Sequence, residues 1–308
     1  MSKTPLPVIV NGGGGAASRL GEKLGDTVEA AFAAVGLTIA LELPKGEAIG
    51  VAITTAAGAP IVAIGGGDGT LGHAAGDLAK AGSTLAVLPL GTRNHLARQL
   101  GIADLKQACQ VIAGDRRGRI DLAQAGDRVF VNNASIGIYT GLVRERDRLP
   151  GPKWLGTIPA TFHVLKHMRT QHMRLTIDGK SRSIKTPLLF IGNNRYSLKT
   201  GSLGQRKSLS DGVLSLFAVS ARTPMALIGF ALRTLVGRSD PERDYEELCE
   251  AKQVIVEGHG CIDVAFDGEV EECRLPLTFK ILPGALEVLV PAGKSVTARA
   301  ASSSPASS

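Results

Sequence analysis

The chain has little cysteine and no cysteine framework. Cys109, Cys249, Cys261 and Cys273 form no CxxC pair and no regular spacing. That pattern excludes a disulfide-stapled scaffold and fits reduced, buried thiols in a cytoplasmic protein. No long apolar run follows Met1–Pro7, so no secretory signal peptide is expected. The longest apolar stretch, Met225–Val236, contains Arg233 and falls short of the roughly 20 residues that span a bilayer. A GxxxxGK[ST] run is missing, which excludes a P-loop. Ser135 sits in "NASIG" rather than in a GxSxG elbow, and nothing completes a triad. His163 and His167 have a zinc-compatible spacing on an expected helix. They lack an HExxH glutamate and a third ligand, so they read as surface or interface histidines. No internal repeat occurs.

What remains is a soluble composition on a chain long enough for two domains. The 308 residues are 44% hydrophobic and 20% charged, and Gly 38 favours many tight turns. The net charge of +7 is unevenly spread. Leu142–Lys207 holds 14 Lys and Arg against 3 Asp and Glu, a net +11, which leaves −4 for the rest. A basic middle on an acidic chain suits an anionic partner such as a phosphate, a nucleic acid or a lipid surface. The plainer alternative is a solvated basic face.

Short apolar runs alternate with helical stretches in the first third. "LPVIV" at 6–10, a helix over 17–35, a strand over 37–43, a strand over 61–64 and a helix over 71–81 follow in order. "STLAVLPLGTRNHLARQLG" adds a further strand, turn and helix. The alternation predicts a parallel sheet, and the unbroken apolar runs predict strands covered on both faces. Near Asp121 the texture changes to short β segments with turns such as Asp178-Gly179, interrupted by helical patterns at 153–168 and 224–236. The first of these, with Trp154, Leu155, Ile158, Phe162, Leu165 and Met168, is amphipathic. Core packing explains it most simply, and a lipid-facing lip is the sharper alternative. The expected organisation is a nucleotide-binding α/β domain over 1–122 and a β-rich substrate domain over 123–294. Its last strand, about 285–291, returns to the first domain, and 295–308 is a disordered tail.

Three turns carry the chemistry. Gly65-Gly66-Gly67-Asp68-Gly69-Thr70 follows one strand, Pro89-Leu90-Gly91-Thr92-Arg93-Asn94 follows the next, and Asp267-Gly268-Glu269 follows "IDVAF". The first two lie at one edge of a parallel sheet, where such folds bind ligands. Their N–H groups and the Thr70 and Thr92 hydroxyls suit phosphate at helix N-termini. An acid at position 68 repels phosphate unless a hydrated Mg²⁺ lies between them. Asp267 would reach in from the second domain to position an acceptor hydroxyl, although Asp-Gly alone also makes a plain hairpin turn. "NGGGGAAS" contains Gly12-x-Gly14-x-x-Ala17, a formal dinucleotide fingerprint, but Glu42 sits too far along to serve as its acid. A phosphate-facing turn of another kind and a plain tight turn are both open there.

Together these runs resemble the diacylglycerol kinase catalytic-domain family, the bacterial lipid kinases related to sphingosine and ceramide kinases. The resemblance covers Asn11 to Pro291 and rests on "GGGDGT", "PLGTRNHLA", "GRIDLAQ", "FVNNASIG", "FIGNNRY", "SDGVLSL", "FDGE" and "PGALEVLVP". GGDGT is shared with NAD kinases and phosphofructokinases, whereas the GTxN and DGE runs separate this chain from both. The resemblance implies a Rossmann-like α/β domain, a mostly antiparallel β-sandwich domain and an active site in the cleft between them. It also implies an ATP-dependent transfer of phosphate to a lipid hydroxyl. Asn11, Gly66, Gly67, Asp68, Gly69, Thr70, Gly91, Thr92 and Asn94 become the nucleotide site, with Asp68 holding the catalytic Mg²⁺ through water. Asp267 becomes the general base with Glu269 beside it, and Asp121 the acid of an interdomain polar network. Asp211 and the Val213 carbonyl become a structural Mg²⁺ site. ATP, a lipid substrate and an anionic membrane surface are the implied partners, with no nucleic acid and with a homodimer allowed. The implied location is cytoplasmic and peripheral at the membrane.

The chain departs from the family pattern at Gly12, where proline is common, and at His95, where an acid is common. The loop before Asp211, "LGQRKSLSDG", lacks the usual alanine-proline stretch and acidic pair, which leaves Arg206 and Lys207 as candidates for an anionic headgroup. The +11 segment should draw the protein to anionic vesicles by up to about 1 kcal/mol per well-placed basic residue. Sedimentation with such vesicles should weaken as salt is added. Equal sedimentation with neutral and anionic vesicles at low salt would leave only a solvated basic face.

Overall fold

Buried apolar strands set the frame of the N-terminal region. In a computed structural model, which describes residues 4–137, 171–197, 205–206, 208–219, 245–294 and 296, β1 (Leu6–Val10), β2 (Ile39–Glu42), β3 (Ile61–Gly65) and β4 (Thr84–Leu88) pair in parallel. Their order is β2-β1-β3-β4. Every residue of β4 is buried, as a strand covered on both faces requires. Helices α1 (Gly15–Leu20), α2 (Leu24–Ala33), α3 (Ala48–Ala56), α4 (Asp68–Ala81), α5 (His95–Leu100) and α6 (Leu105–Gly114) alternate with these strands. The expected helix over 17–35 is thus two helices, broken where Gly21 takes φ 55° ahead of a 3₁₀ turn. Helices α3 and α6 fall outside the sequence expectation. Val51, Ile53, Thr54 and Thr55 give α3 a strand-like composition. Asp104 caps α6 by accepting from the Gln107 N–H at 2.8 Å.

Strand β5 (Arg117–Ala125) leads into β6 (Arg128–Phe130), β7 (Asn133–Gly137), β8 (Gln171–Ile177), β9 (Lys180–Thr186), β10 (Leu188–Asn193), β11 (Tyr196–Ser197) and β12 (Gln205–Arg206). Then come β13 (Leu214–Val219), β14 (Tyr245–Ala251), β15 (Gln253–Glu257), β16 (Cys261–Phe266), β17 (Glu269–Arg274) and β18 (Leu277–Leu289). One antiparallel sheet runs β14-β13-β10-β7-β16-β17. A second set, the start of β18 with β15, β8 and β9, is also antiparallel. Leu175, Val254, Val256 and Phe279 from this set share one core with Ile136, Ile191, Leu216, Val264 and Phe266 from the sheet, which makes a β-sandwich. Phe130 anchors it, its ring 5.7 Å from that of Phe266 and 6.5 Å from that of Phe279.

The chain divides into two units: Met1–Leu122 with Ser208–Gly212 and Leu282–Ser308, and Ala123–Lys207 with Val213–Ile281. β18 is a single strand through Pro283-Gly284, and its Val288 pairs in parallel with Leu85 of β4. The expected helices at 153–168 and 224–236, His163, His167 and, apart from Val296, the expected tail lie outside the described residues. Among the described residues, no helix is long and apolar enough to cross a membrane.

Candidate functional site

The ladder aligns Val10, Gly65 and Leu88 in one row, so the turns after β1, β3 and β4 leave the sheet side by side. The last two meet backbone to backbone. A Cβ on Gly91 would lie 2.4 Å from the Cα of Gly67 and 2.8 Å from the side-chain oxygen of Asn94, so any other residue there forces the turns apart. Asn94, at φ 50°, folds its own turn: Oδ1 accepts from the Gly91 N–H at 2.8 Å, and Nδ2 donates to the carbonyls of Pro89 (3.2 Å) and Gly91 (3.0 Å). Asn11 joins the first turn to the second, its Nδ2 donating to Thr70 Oγ1 at 3.1 Å. Gly66 packs against the Thr70 side chain, and Gly15 against Thr92 Oγ1.

These turns differ in the donors they leave for a ligand. In the first, Gly12 donates to the Pro44 carbonyl at 2.8 Å, Gly13 to Asn11 Oδ1 at 2.9 Å and Gly14 to the Asn11 carbonyl at 3.1 Å. The N–H groups of Gly12, Gly13 and Gly14 are spent on the protein, as is that of Ala16 on the Leu90 carbonyl at 3.0 Å, which weakens the dinucleotide fingerprint. The same bond explains Gly12: a proline has no N–H to give Pro44, and a Cβ would sit 2.7 Å from the Leu43 carbonyl oxygen. At the third turn, the His95 and Leu96 N–H groups donate to the two Asp68 carboxylate oxygens, each at 3.3 Å. Helix α5 therefore spends its N-terminus on Asp68. Helix α4, with 14 residues, starts from Gly67 with no side-chain cap. The opening of α4 at Gly67–Thr70 is thus a donor set that suits phosphate, backed by the dipole of a 14-residue helix. Thr92 and Arg93 lie exposed near it on the neighbouring turn.

Asp68 therefore does two things with one side chain. It caps α5, and it sets a carboxylate at the first residue of α4. A second lone pair remains on each oxygen. Mg²⁺ commonly takes one or two carboxylates together with waters and phosphate oxygens. Among the described residues no three His, Cys, Asp or Glu side chains group into a metal cage. The residues thus fit an ion shared with a nucleotide. The expected structural site lies elsewhere, in the segment before β13. Asp211 is half-buried, and the Val213 carbonyl already accepts the Asn194 N–H at 2.9 Å.

Asp121 is buried. Its carboxylate accepts from the Gly212 and Gly284 N–H groups, each at 2.7 Å, and pins two returning segments of its own unit to β5. Asp267 and Gly268 form the hairpin turn between β16 and β17, with φ 49° and 97°, the pair of positive values a type I′ turn needs. The turn also directs its acid. Asp267 Oδ2 accepts from Val131 N–H at 2.9 Å, and Oδ1 accepts from Asn132 (2.8 Å) and Asn133 (3.1 Å). Burial pushes this carboxyl above the ordinary aspartate range, opposed by those three N–H groups and by the Arg206 guanidinium. Glu269 is exposed and bonds Arg128 at 3.3 Å.

Arg206 corrects an expectation. It is 7% exposed and bonded to backbone carbonyls, so it does not face a lipid headgroup. Arg195 in the same basic segment holds Glu250 at 2.6 and 2.8 Å, which lowers the Glu250 carboxyl from its usual range. Lys207 and much of the rest of the segment lie outside the described residues. The network around Val131–Asn133, which includes Asn193 and Tyr196, was not assigned from sequence. Its signal was the asparagine pairs of "FVNNASIG" and "FIGNNRY", amides placed directly after buried strands.

Residues 5–125 match the family model described as the diacylglycerol kinase catalytic domain, and residues 151–290 match that of the YegS C-terminal NAD kinase beta sandwich-like domain. The chain belongs to the diacylglycerol kinase catalytic-domain family. It is 31% identical over 246 residues to a Pseudomonas aeruginosa protein named "Probable lipid kinase YegS-like", covering 77% of this chain and 79% of that one. It is 27% identical over 237 residues to a protein named "Diacylglycerol kinase" from Staphylococcus aureus, covering 73% of each. The crystal structure of a diacylglycerol kinase from Bacillus anthracis superposes with a TM-score of 0.66 at 20% identity, over 94% of this chain and 99% of that one. That likeness speaks for the two-domain fold. Within the family frame, the acid in the glycine turn is open to a direct test. Asp68→Asn retains an oxygen that can cap α5, whereas Asp68→Ala should cost about 1 kcal/mol of stability. Both should lower phosphate transfer by on the order of 10²-fold or more. Thermal melts beside turnover assays check this, and an active Asp68→Asn protein would remove the metal role.

Proposed function

We propose that this protein transfers the γ-phosphate of ATP to the hydroxyl of a lipid, most directly a diacylglycerol, to give a phosphomonoester lipid and ADP. The observation that carries the reading is the uncapped opening of α4 beside an acid, on a turn locked by the Gly67–Gly91 contact. Family membership supports the lipid acceptor. Phosphoryl transfer asks a protein mainly for positioning and charge neutralisation. The N–H groups at Gly67–Thr70 orient the phosphates along the α4 dipole, and Asn11 holds Thr70 in place. Asp68 would hold a hydrated Mg²⁺, which when bound neutralises phosphate charge.

Asp267 is the general base. Three N–H groups fix its carboxylate without the freedom to rotate, and Oδ2, which accepts only one of them, keeps a lone pair for the acceptor's proton. A carboxyl raised by burial is a stronger base than an exposed aspartate. Work at an anionic membrane surface fits the acceptor and the basic segment. A rival on the same fold is a kinase for a soluble hydroxyl compound, and a rival of another class is a nucleotide or lipid sensor without turnover.

Labelled ATP offered with diacylglycerol micelles and with water-soluble polyols or nucleosides separates these readings. Label is expected in the lipid, and transfer only to soluble acceptors, or none, would overturn the proposal. Asp267→Asn should lower kcat by on the order of 10²-fold or more, with little change in ATP affinity. Because the folded carboxyl is raised, wild-type activity should fall as pH drops through a value above the ordinary aspartate range. Full kcat in Asp267→Asn would place the base elsewhere.

A further inference from the structure

The Val131–Asn133 loop is gripped from two sides by opposite charges. Its three N–H groups point to Asp267. Its carbonyls point to a cation and its helpers. The Val131 carbonyl accepts from Arg206 Nη1 at 2.6 Å and from Asn193 Nδ2 at 2.7 Å. The Asn132 carbonyl accepts from the Asn193 N–H at 2.9 Å and the Tyr196 hydroxyl at 2.8 Å. Asn132 Oδ1 accepts from Arg206 Nη2 at 2.8 Å, and Arg206 Nη1 also donates to the Asn193 carbonyl at 3.2 Å. The guanidinium lies 5.7 Å from the centre of the Tyr196 ring.

Burying a cation is unfavourable unless its donors are met, so Arg206 needs a reason to be there. Hydrogen bonds in a chain polarise one another, and here the carboxylate and the guanidinium polarise the Val131–Asn132 peptide in the same sense, one at its N–H and the other at its carbonyl. The planar fork of arginine reaches the Val131, Asn132 and Asn193 oxygens at once, which a lysine ammonium reaches only as a point charge. The backbone bond from Asp267 N–H to the Asn133 carbonyl, at 2.9 Å, and the packed Phe130 and Phe266 rings close the other end.

We propose that Arg206 is the positioning residue of the phosphotransfer base: it fixes the Val131–Asn133 loop and, through that loop, the direction of the Asp267 carboxylate. The inference rests on the reading of Asp267 as the general base. Arg206 is the cation acting on Asp267, and it favours the ionised form. Among the described residues, Arg128 beside this hairpin pairs with its acids. Glu269 bonds Arg128 at 3.3 Å, and Arg128 bonds Glu271 at 3.0 Å. Removing the Arg206 charge should let the Asp267 carboxyl rise further, so the acid limb of kcat moves to higher pH.

The test measures kcat, KM for ATP, the pH profile and the melting temperature of the full chain. It compares wild type, Asp267→Asn, Arg206→Met and Arg206→Lys, with diacylglycerol in mixed micelles. Arg206→Met should lower kcat by on the order of 10-fold or more, because small displacements of a base are costly. KM for ATP should hold and the acid limb should move up. Arg206→Lys should keep the limb where it is and recover only part of kcat. A folded Arg206→Met protein whose acid limb stays in place overturns the inference, whatever its melting temperature. If Arg206→Met does not fold, Arg206→Lys decides: reduced kcat at constant KM supports the role, and wild-type kcat overturns it. Loss of activity in Asp267→Asn without these Arg206 effects removes only the present inference. Full activity in Asp267→Asn removes the base on which it rests.

Discussion

The approach of Gly67 to Gly91 is the constraint on which the N-terminal unit depends. Two parallel strands end in register, and the turns after them can share one small space only if neither carries a side chain at the point of contact. Once they touch, the rest is determined locally. Asn94 closes its turn through Gly91, and Asp68 comes within reach of the first N–H groups of α5. Because that acid satisfies the start of α5, the opening of α4 is the free helix end on this side of the contact. A single close contact thus sets which of the two adjacent helix ends, α4 or α5, keeps its N–H groups uncapped by Asp68.

The second unit uses the same kind of material in the opposite sense. There the backbone N–H groups of Val131–Asn133 are spent on a carboxylate that the protein itself supplies. A hairpin turn with two positive φ values aims Asp267 at them, and the packed Phe130 and Phe266 rings hold the two segments together. The hairpin and the catalytic readings of Asp267 are therefore not rivals. The turn geometry is what presents the acid, and burial is what makes its carboxyl more basic.

Strands with unbroken apolar runs, such as Val8–Val10 and Leu85–Leu88, were legible because burial on both faces leaves no polar alternation to confuse them. The glycine turns were legible because Gly and Asp in that order after a strand have few other uses. Helix α3 was not, since its β-branched residues argue for a strand and tertiary packing overrides them. Helix α6 announced itself only through Asp104 and Gln107, three residues apart, a cap signal easily passed over. Arg206 misled for a physical reason: a basic residue in a basic segment reads as surface, and its partners are backbone carbonyls brought together by distant strands. The roles of Asn193 and Tyr196 depend on the same long-range pairing, which no local spacing encodes.

The central claim is that the opening of α4, and not the glycine run after β1, receives the nucleotide phosphates. Backbone amide resonances followed by NMR during titration with a non-hydrolysable ATP analogue and Mg²⁺ test it most directly. The account predicts large shifts at Gly67, Asp68, Gly69 and Thr70, while Gly12, Gly13 and Gly14, whose N–H groups are already bonded within the protein, move little. Large shifts at Gly12–Gly14 with Gly67–Thr70 unmoved would contradict it.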